Sequence, residues 1–146
     1  MTHYTPTELV GLLLTNGFNV GVGVVDIVDR DYVGVDSSFV VGDFTKALWS
    51  AKRFFGIYGW EAESFDCDDF ARAAAALAQY LHHKTAGRPK DTALAFGELW
   101  YRKDNGEGHA INIFVDAGNV FKFEPQTASF VELSAAEKLN TFKVRF

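Results

Sequence analysis

Cysteine, basic residues and long apolar runs are all scarce in this chain of 146 residues. The single cysteine, Cys67, excludes an intrachain disulfide and a zinc site made of four cysteines. No apolar run approaches the roughly 20 residues that a membrane-spanning helix needs. The first residues lack the basic and then apolar order of a signal peptide. We therefore predict a soluble, cytoplasmic protein that has no membrane partner and is kept in a reducing compartment.

Positive charge is also in deficit. The chain has 14 Lys and Arg against 19 Asp and Glu, for a net charge of −5. This balance disfavours a nucleic-acid partner, since affinity for a phosphate backbone depends on clustered basic side chains. Apolar residues, in contrast, make up 48% of the chain and aromatic residues 15%. This is enough to fill a core, and the length predicts one domain over residues 1–146.

Helical spacing of apolar residues predicts three helices in the first 85 residues. They cover 6–14, 45–55 and a longer segment that ends near 82–83. Asp66 is the expected N-cap of the long helix, with Asp69 in the position of a capping-box acid. The glycine-rich stretch 18–45 is predicted to be extended and irregular.

The second half of the chain is typical of strands. Two-residue alternation and β-branched residues predict three strands and a tight turn, followed by a short helix and a last strand. The order of helices before strands predicts an α+β fold, with N-terminal helices packed against an antiparallel β-sheet. The strands cover 92–102, 110–115, 120–123 and 141–146, the turn 116–119 and the helix 134–139.

Cys67 is the one candidate nucleophile. It begins the long helix, where unpaired backbone N–H groups and the helix dipole favour a thiolate. Asp66, Asp68 and Asp69 oppose this, because nearby negative charge raises the pKa of a thiol. The same three acids are an alternative cation site, although the central glycine and terminal glutamate of an EF-hand loop are missing. We predict no metal and no cofactor.

His109 is the candidate base, because it opens a strand directly after a glycine-rich loop. His3, His82 and His83 are weaker candidates, being terminal or at a helix end. A turn closed over 117–118 would place Glu124 and Gln126 on the same face as His109. This predicts a base oriented by a partner on the next strand, as thiol catalysis requires.

These three features in this order resemble the transglutaminase-like branch of the papain-like cysteine peptidase superfamily. The resemblance covers about 60–130, and residues 1–55 match no family. It implies a papain-like core and a Cys–His–acid triad, although the acid here is Glu rather than Asp. The implied nucleophile is Cys67, the base is His109 and the orienting residue is Glu124 or Gln126. By the same analogy, Trp60 is a weak candidate for the oxyanion site and a stronger one for core packing.

The resemblance implies a thiol-dependent hydrolase or acyl transferase that acts on an amide bond through a thioester. The expected substrates are peptides, proteins or peptidoglycan-like amides, and a phage product associated with a virion would fit the small size. The alternative is a catalytically silent binding or structural protein on the same scaffold, whose aromatic residues line a glycan or peptide groove. The oligomeric state is open at this point. The aromatic residues in question are Trp49, Phe54, Phe55, Tyr58 and Trp60.

Overall fold

The computed structural model describes residues 1–62 and 64–146. Within them the chain forms five α-helices, and a π-helical turn at Val40–Phe44 joins α2 to α3. No described helix is both long enough and apolar enough to cross a membrane. The helices are α1 (Pro6–Thr15), α2 (Ser37–Phe39), α3 (Thr45–Phe55), α4 (Cys67–Lys84) and α5 (Ala135–Leu139).

Nine strands in the described residues make two sheets. The smaller has three strands in the order β1-β3-β4, and the larger has six in the order β2-β9-β5-β6-β7-β8. The strands are β1 (His3–Tyr4), β2 (Val25–Asp26), β3 (Tyr32–Val33), β4 (Ala93–Leu94), β5 (Phe96–Arg102), β6 (Gly108–Asp116), β7 (Asn119–Glu124), β8 (Ser129–Phe130) and β9 (Thr141–Arg145).

The predicted antiparallel sheet is wrong, because both sheets are mixed. Strand β2 runs parallel to β9, with Val25 opposite Val144, and β3 runs parallel to β4. Two of these four strands, β2 and β3, lie inside the stretch 18–45, which was expected to be extended and irregular. A strand of two residues is too short to show a period, so its pairing depends on distant parts of the chain.

Local signals set the helix ends. Thr5 caps α1, and its backbone N–H donates to Glu8 Oε2 at 2.7 Å in a capping box. Helix α3 has its predicted bounds and ends at Gly56, whose φ of 70° is left-handed. Asp66 lies at the N-cap of α4 as predicted, but its side chain makes no capping hydrogen bond. The expected capping box with Asp69 is therefore wrong.

The six-stranded sheet lies between two apolar clusters. Ile113 and Val115 belong to the cluster that includes α1, whereas Phe114 belongs to the one that includes α3 and α4. The fully buried Asn112 joins α4 to the sheet, because its Nδ2 donates to the Ala71 carbonyl at 2.8 Å. This packing holds the first turn of α4 against β6.

Candidate functional site

The β6–β7 hairpin brings His109 and Glu124 together. The two central residues of the turn, Ala117 and Gly118, have positive φ angles of 47° and 81°, as a type I′ turn requires. The turn closes over residues 117–118 as predicted, and it pairs Val115 with Val120 and Ile113 with Lys122. His109 Nε2 lies 2.7 Å from Glu124 Oε2, and the two side chains are 14% and 13% exposed. The hairpin therefore holds an imidazole on a carboxylate in a largely buried contact.

Gln126 contributes its backbone N–H and carbonyl groups to this arrangement. Its N–H donates to Glu124 Oε1 at 3.0 Å, and its carbonyl accepts from Lys52 Nζ at 2.9 Å. Among the described residues, the His109 ring is hydrogen-bonded to Glu124 and not to Gln126. Of the two orienting candidates, the geometry brings Glu124 to the histidine.

Lys52 belongs to this site, although the sequence analysis did not select it. Its side chain is only 8% exposed, and Nζ lies 4.1 Å from the ring centre of Trp49 and 5.1 Å from that of Phe70. Burial lowers the pKa of Lys52, and the charge of Glu124 partly opposes this. The available signal was its spacing: Lys52 follows the buried Leu48 by four residues, so both share one face of α3.

Cys67 begins α4 as predicted, and its side chain is half-buried. Burial raises the pKa of the Cys67 thiol, the charges of Asp66 and Asp68 raise it further, and a backbone hydrogen bond from Ala110 acts in the opposite direction. The contact with Ala110 places the thiol beside the residue that follows His109. The surroundings of the thiol favour its neutral form at pH 7.

Three carboxylates surround the start of α4. One oxygen from each of Asp66, Asp68 and Asp69 lies within 4.8 Å of the others. A hydrogen bond with Asp66 raises the pKa of Asp68, and burial adds to this effect. Arg72 binds Asp68 at 3.0 Å and Asp69 at 3.2 Å. This arginine supplies positive charge to the cluster, and the acids disfavour negative charge on the neighbouring sulfur.

Five aromatic residues on α3 and in the segment between α3 and α4 are exposed, so the expectation that Trp60 packs in the core is wrong. Trp60 is 57% exposed and Tyr58 is 82% exposed. Phe54 and Phe55 contact each other edge-on at 5.0 Å, but both face outward. We call this set the aromatic surface: Trp49, Phe54, Phe55, Tyr58 and Trp60.

Residues 38–130 match the family described as Agglutinin C-terminal. The matched segment is more than half of the chain, and it contains α3, α4 and the β6–β7 hairpin. This chain therefore belongs to the Agglutinin C-terminal family. No curated protein is similar enough to match the chain.

Two solved structures share the fold over almost the whole chain. One is the PSL1a–E64 complex, with 25% identity and a TM-score of 0.71. The other is Polyporus squamosus lectin bound to the human-type influenza-binding epitope Neu5Acα2-6Galβ1-4GlcNAc, with 25% identity and a TM-score of 0.73. Each comparison covers 99% of this chain, but only 51% and 49% of the other. The chain thus spans about half the length of these structures.

These findings contradict the resemblance to transglutaminase-like and papain-like cysteine peptidases. The family is an agglutinin family and a neighbour over the whole chain is a lectin, so the comparisons do not place the chain among peptidases. The predicted papain-like core is corrected to a β-rich fold built on a mixed six-stranded sheet. The predicted thiol hydrolase or acyl transferase, its enzymatic role and its amide substrates are contradicted for the same reason.

The physical reason for this correction is that the resemblance used local features. A cysteine at a helix start and a histidine–acid pair on a hairpin constrain a few residues, and similar constellations occur on unrelated folds. The parallel, long-range strand pairing of this fold involves none of the three residues Cys67, His109 and Glu124. The surroundings of Cys67 also raise its pKa, whereas an activated thiol requires a lowered one.

Proposed function

We propose that this chain is a carbohydrate-binding module of agglutinin type, and that its aromatic surface contacts the sugar. Membership of the Agglutinin C-terminal family and the fold shared with a glycan-bound lectin support the proposal. The observation that carries it is the aromatic surface itself. Five large aromatic side chains between residues 49 and 60 are each at least 41% exposed. Clustered exposed apolar groups mark binding sites on protein surfaces.

The chemistry of the aromatic surface suits a sugar. The C–H face of a pyranose ring is apolar and flat, so it packs on an aromatic ring, and its hydroxyl groups project toward polar neighbours. Arg53 lies on α3 between Trp49 and Phe54, and among the described residues its guanidinium is hydrogen-bonded only to the Ser50 hydroxyl. It can therefore bind the carboxylate of a sialylated glycan.

Titration with two glycans tests this proposal. We expect Neu5Acα2-6Galβ1-4GlcNAc to shift NMR resonances of the aromatic surface and to bind more tightly than Galβ1-4GlcNAc, which lacks the carboxylate. Tyr58→Ala and Trp60→Ala should each weaken binding by roughly tenfold, since an aromatic contact is worth about 1 kcal/mol beyond its buried area. The matched control is Tyr80→Ala, which removes a 58% exposed ring from α4.

Two outcomes would overturn the glycan proposal. If the trisaccharide produced no shift at millimolar concentration, this chain would not be the sugar-binding part. If Tyr80→Ala weakened binding as much as Tyr58→Ala and Trp60→Ala, the aromatic surface would not be the site. Arg53→Gln should abolish the preference for the sialylated glycan while binding of the neutral disaccharide is retained.

A second candidate function is a site that takes a thiol-reactive ligand, with Cys67, His109 and Glu124 as its residues. The 2.7 Å contact of His109 with Glu124 supports it, together with the hydrogen bond between the Cys67 thiol and the backbone of Ala110, the residue after His109. One similar structure is a complex with E64, and we use E64 as an epoxide probe, since epoxides are electrophiles that alkylate thiols. In such a step the Cys67 thiol gives its proton to His109, the sulfur bonds to an epoxide carbon, the carbon–oxygen bond breaks, and the new alkoxide takes that proton from His109. Gln126 positions Glu124 through its backbone, and the oxyanion role of Trp60 is part of this proposal.

Intact-mass analysis after incubation with E64 tests this second candidate. Epoxide opening releases no leaving group, so the adduct should add the whole mass of E64. Cys67→Ser should abolish the adduct, and His109→Ala should slow its formation. An adduct that forms only after denaturation would identify Cys67 as an inaccessible thiol and refute the candidate. Glycan binding should be unchanged in Cys67→Ser, which keeps the two proposals separable.

Two further expectations from the sequence remain proposals. We propose that residues 1–146 act as one domain, and the packing of Leu9 and Leu13 of α1 with Ile113 of β6 supports this. A single cooperative unfolding transition would agree with it, whereas two separate transitions would refute it. The proposed cytoplasmic location is supported by the lone Cys67 and is tested by cell fractionation.

A further inference from the structure

We propose that a groove between α4 and β9 binds a neutral pyranose sugar. Trp100 and Phe142 pack against the sugar ring, and Lys143 and Arg145 donate to its hydroxyl groups. The groove has a volume of about 330 Å³, at the lower end of the roughly 300–1,000 Å³ that is usual for small-ligand sites. The six described residues that line it are Arg72, Glu98, Trp100, Phe142, Lys143 and Arg145.

The groove is separate from the aromatic surface. The six residues that line it include no member of that set. Phe70 of α4 faces α3, because the ammonium group of Lys52 lies over its ring. Arg72 follows Phe70 by two residues, so its side chain points about 200° away from that of Phe70 around the helix axis. The inference therefore extends sugar binding to a second surface, and either site can fail without the other.

A β-bulge brings two consecutive residues, Phe142 and Lys143, to the groove. Trp100 of β5 is opposite Lys143 and Tyr101 is opposite Thr141, so Phe142 is the extra residue in β9. Consecutive residues of a regular strand face opposite sides of a sheet, whereas a bulge can redirect one of them. Here the bulge leaves Phe142 44% exposed and in contact with Trp100.

Trp100 and Phe142 form an aromatic corner. Their ring centres lie 6.3 Å apart, and their planes are 89° from parallel. Trp100 Nε1 donates to the buried Glu98 Oε2 at 3.2 Å, and the Arg102 guanidinium lies 5.9 Å from the ring centre of Phe142. Because these contacts hold both rings in place, a ligand that packs on them costs little side-chain entropy. The apolar C–H face of a pyranose ring suits such a corner.

Lys143 and Arg145 offer N–H donors beside this corner. They lie on the same face of the sheet as Trp100 and Glu98, which are their opposite residues on β5. Their side chains are 37% and 55% exposed. Their ion pairs with Asp26 are 3.6 and 3.4 Å long, which exceeds the usual hydrogen-bond length of about 2.7–3.2 Å. An ammonium group has three N–H donors and a guanidinium five, so both side chains can bind a ligand hydroxyl.

Acidic and basic side chains surround the groove in nearly equal numbers, which favours a neutral ligand. A charged ligand gains no net attraction where charges of both signs balance. A hydroxyl group both donates and accepts, so it can bind a base on one side and an acid on the other. The bases that line the groove are Arg72, Lys143 and Arg145, and the acids that line it or pair with these bases are Glu98, Asp26, Asp68 and Asp69.

The indole N–H resonances of the three tryptophans test both sites in one ¹H–¹⁵N spectrum of the whole chain. Trp49 and Trp60 report on the aromatic surface, and Trp100 reports on the groove. We expect methyl β-galactopyranoside or methyl β-glucopyranoside, at millimolar concentration, to shift the resonance of Trp100. Galacturonate, which adds a carboxylate to the same kind of ring, should bind no more tightly than the neutral galactoside.

Two substitutions and a matched control locate the contact. Phe142→Ala and Arg145→Gln should each weaken binding of the neutral sugar about fivefold, since each removes one ring contact or one hydrogen-bonding group. The control Phe130→Ala should leave the affinity unchanged, because Phe130 is 43% exposed but lies on β8 at the other end of the six-stranded sheet. If Phe142→Ala does not fold, Arg145→Gln and the Trp100 resonance of the native chain still decide the question.

Three results would overturn the sugar site in the groove. They are an unchanged Trp100 resonance with both neutral sugars, tighter binding of galacturonate, and equal weakening by the control Phe130→Ala. Shifts of Trp49 and Trp60 without Trp100 would support the aromatic surface and overturn the groove. A shift of Trp100 alone would support the groove and count against the aromatic surface.

Discussion

Replacement of the buried Lys52 by methionine should destabilise the protein, because Lys52 ties α3 to the segment that follows β7. Methionine is similar in length and fills the same space, but it cannot donate to the Gln126 carbonyl. The substitution also removes the cation from the faces of Trp49 and Phe70. The perturbation is therefore confined to one charge and its contacts.

The expected loss in the free energy of unfolding is the difference between the contacts that Lys52 makes and the cost of burying its charge. A hydrogen bond from a charged donor contributes about 1.5–3 kcal/mol, and the two cation–π contacts add about 1 kcal/mol. Removal of the buried charge of Lys52 returns part of this, because burial of an ammonium group costs free energy. We expect a net loss of about 2 kcal/mol in the free energy of unfolding. For a domain of this size, this corresponds to a Tm lowered by about 4–8 °C.

Urea denaturation of Lys52→Met, beside the control Lys46→Met, measures this loss. Lys46 lies on the same helix, and its side chain is 81% exposed. The control should therefore stay within about 0.5 kcal/mol of the native chain. A parallel ¹⁵N spectrum should show changes at Gln126 and Glu124 in Lys52→Met and none there in the control.

The stability difference between Lys52→Met and the native chain should also change with pH in a defined direction. Burial places the pKa of Lys52 in the folded state below its ordinary value of 10.5 in the unfolded state. Between these two pKa values the folded chain holds fewer protons, so its stability rises with pH. The variant lacks this rise, and the difference between the two proteins should widen as the pH approaches 10.5. A variant as stable as the native chain, or a difference that narrows with pH, would refute the assigned role of Lys52.

Three further substitutions probe the site and the sheet. Glu124→Ala should cost about 2–3 kcal/mol in the free energy of unfolding measured with urea, since it leaves a buried imidazole and a backbone N–H without their acceptor. Gln126→Ala should cost less than about 0.5 kcal/mol, because only the backbone of Gln126 contributes to the site. The reverse order of the two losses would contradict the observed pairing. Iodoacetamide should label Cys67 more slowly than a free peptide thiol at pH 7, since burial raises its pKa, and faster labelling would contradict this environment. Gly97→Ala should cost more than about 3 kcal/mol in the free energy of unfolding or prevent folding, because the added methyl group would overlap the backbone carbonyl of Arg145 in β9. In the control Gly108→Ala the methyl group meets no atom within 4 Å, so this variant should be nearly as stable as the native chain. Equal stability of the two variants would refute the close approach of β5 and β9.

Interactions between residues close in sequence made several helix bounds and the hairpin register predictable. The Thr5 capping box and the left-handed Gly56 act within one helical turn, so the bounds of α1 and α3 followed from neighbouring residues. The tight turn sets which residues face each other in the β6–β7 hairpin, and this register brought Glu124 to His109. Interactions across fewer than about twenty residues are visible in the residue order alone.

Interactions between segments far apart in sequence could be identified only in the tertiary structure. The parallel pairing of Val25 with Val144 joins residues 119 positions apart, and two-residue strands carry no periodic signal. Burial of Lys52 depends on Gln126, 74 residues away, and the exposure of Trp60 depends on which surfaces the other segments cover. The residue order determined α1, α3, α4, the hairpin and the histidine–carboxylate pair, because their contacts are local, but it did not predict α2 and the π-helical turn, which lie in a stretch expected to be extended. The fold family, the mixed sheet and the exposed aromatic surface were decided by long-range packing, which local patterns do not encode.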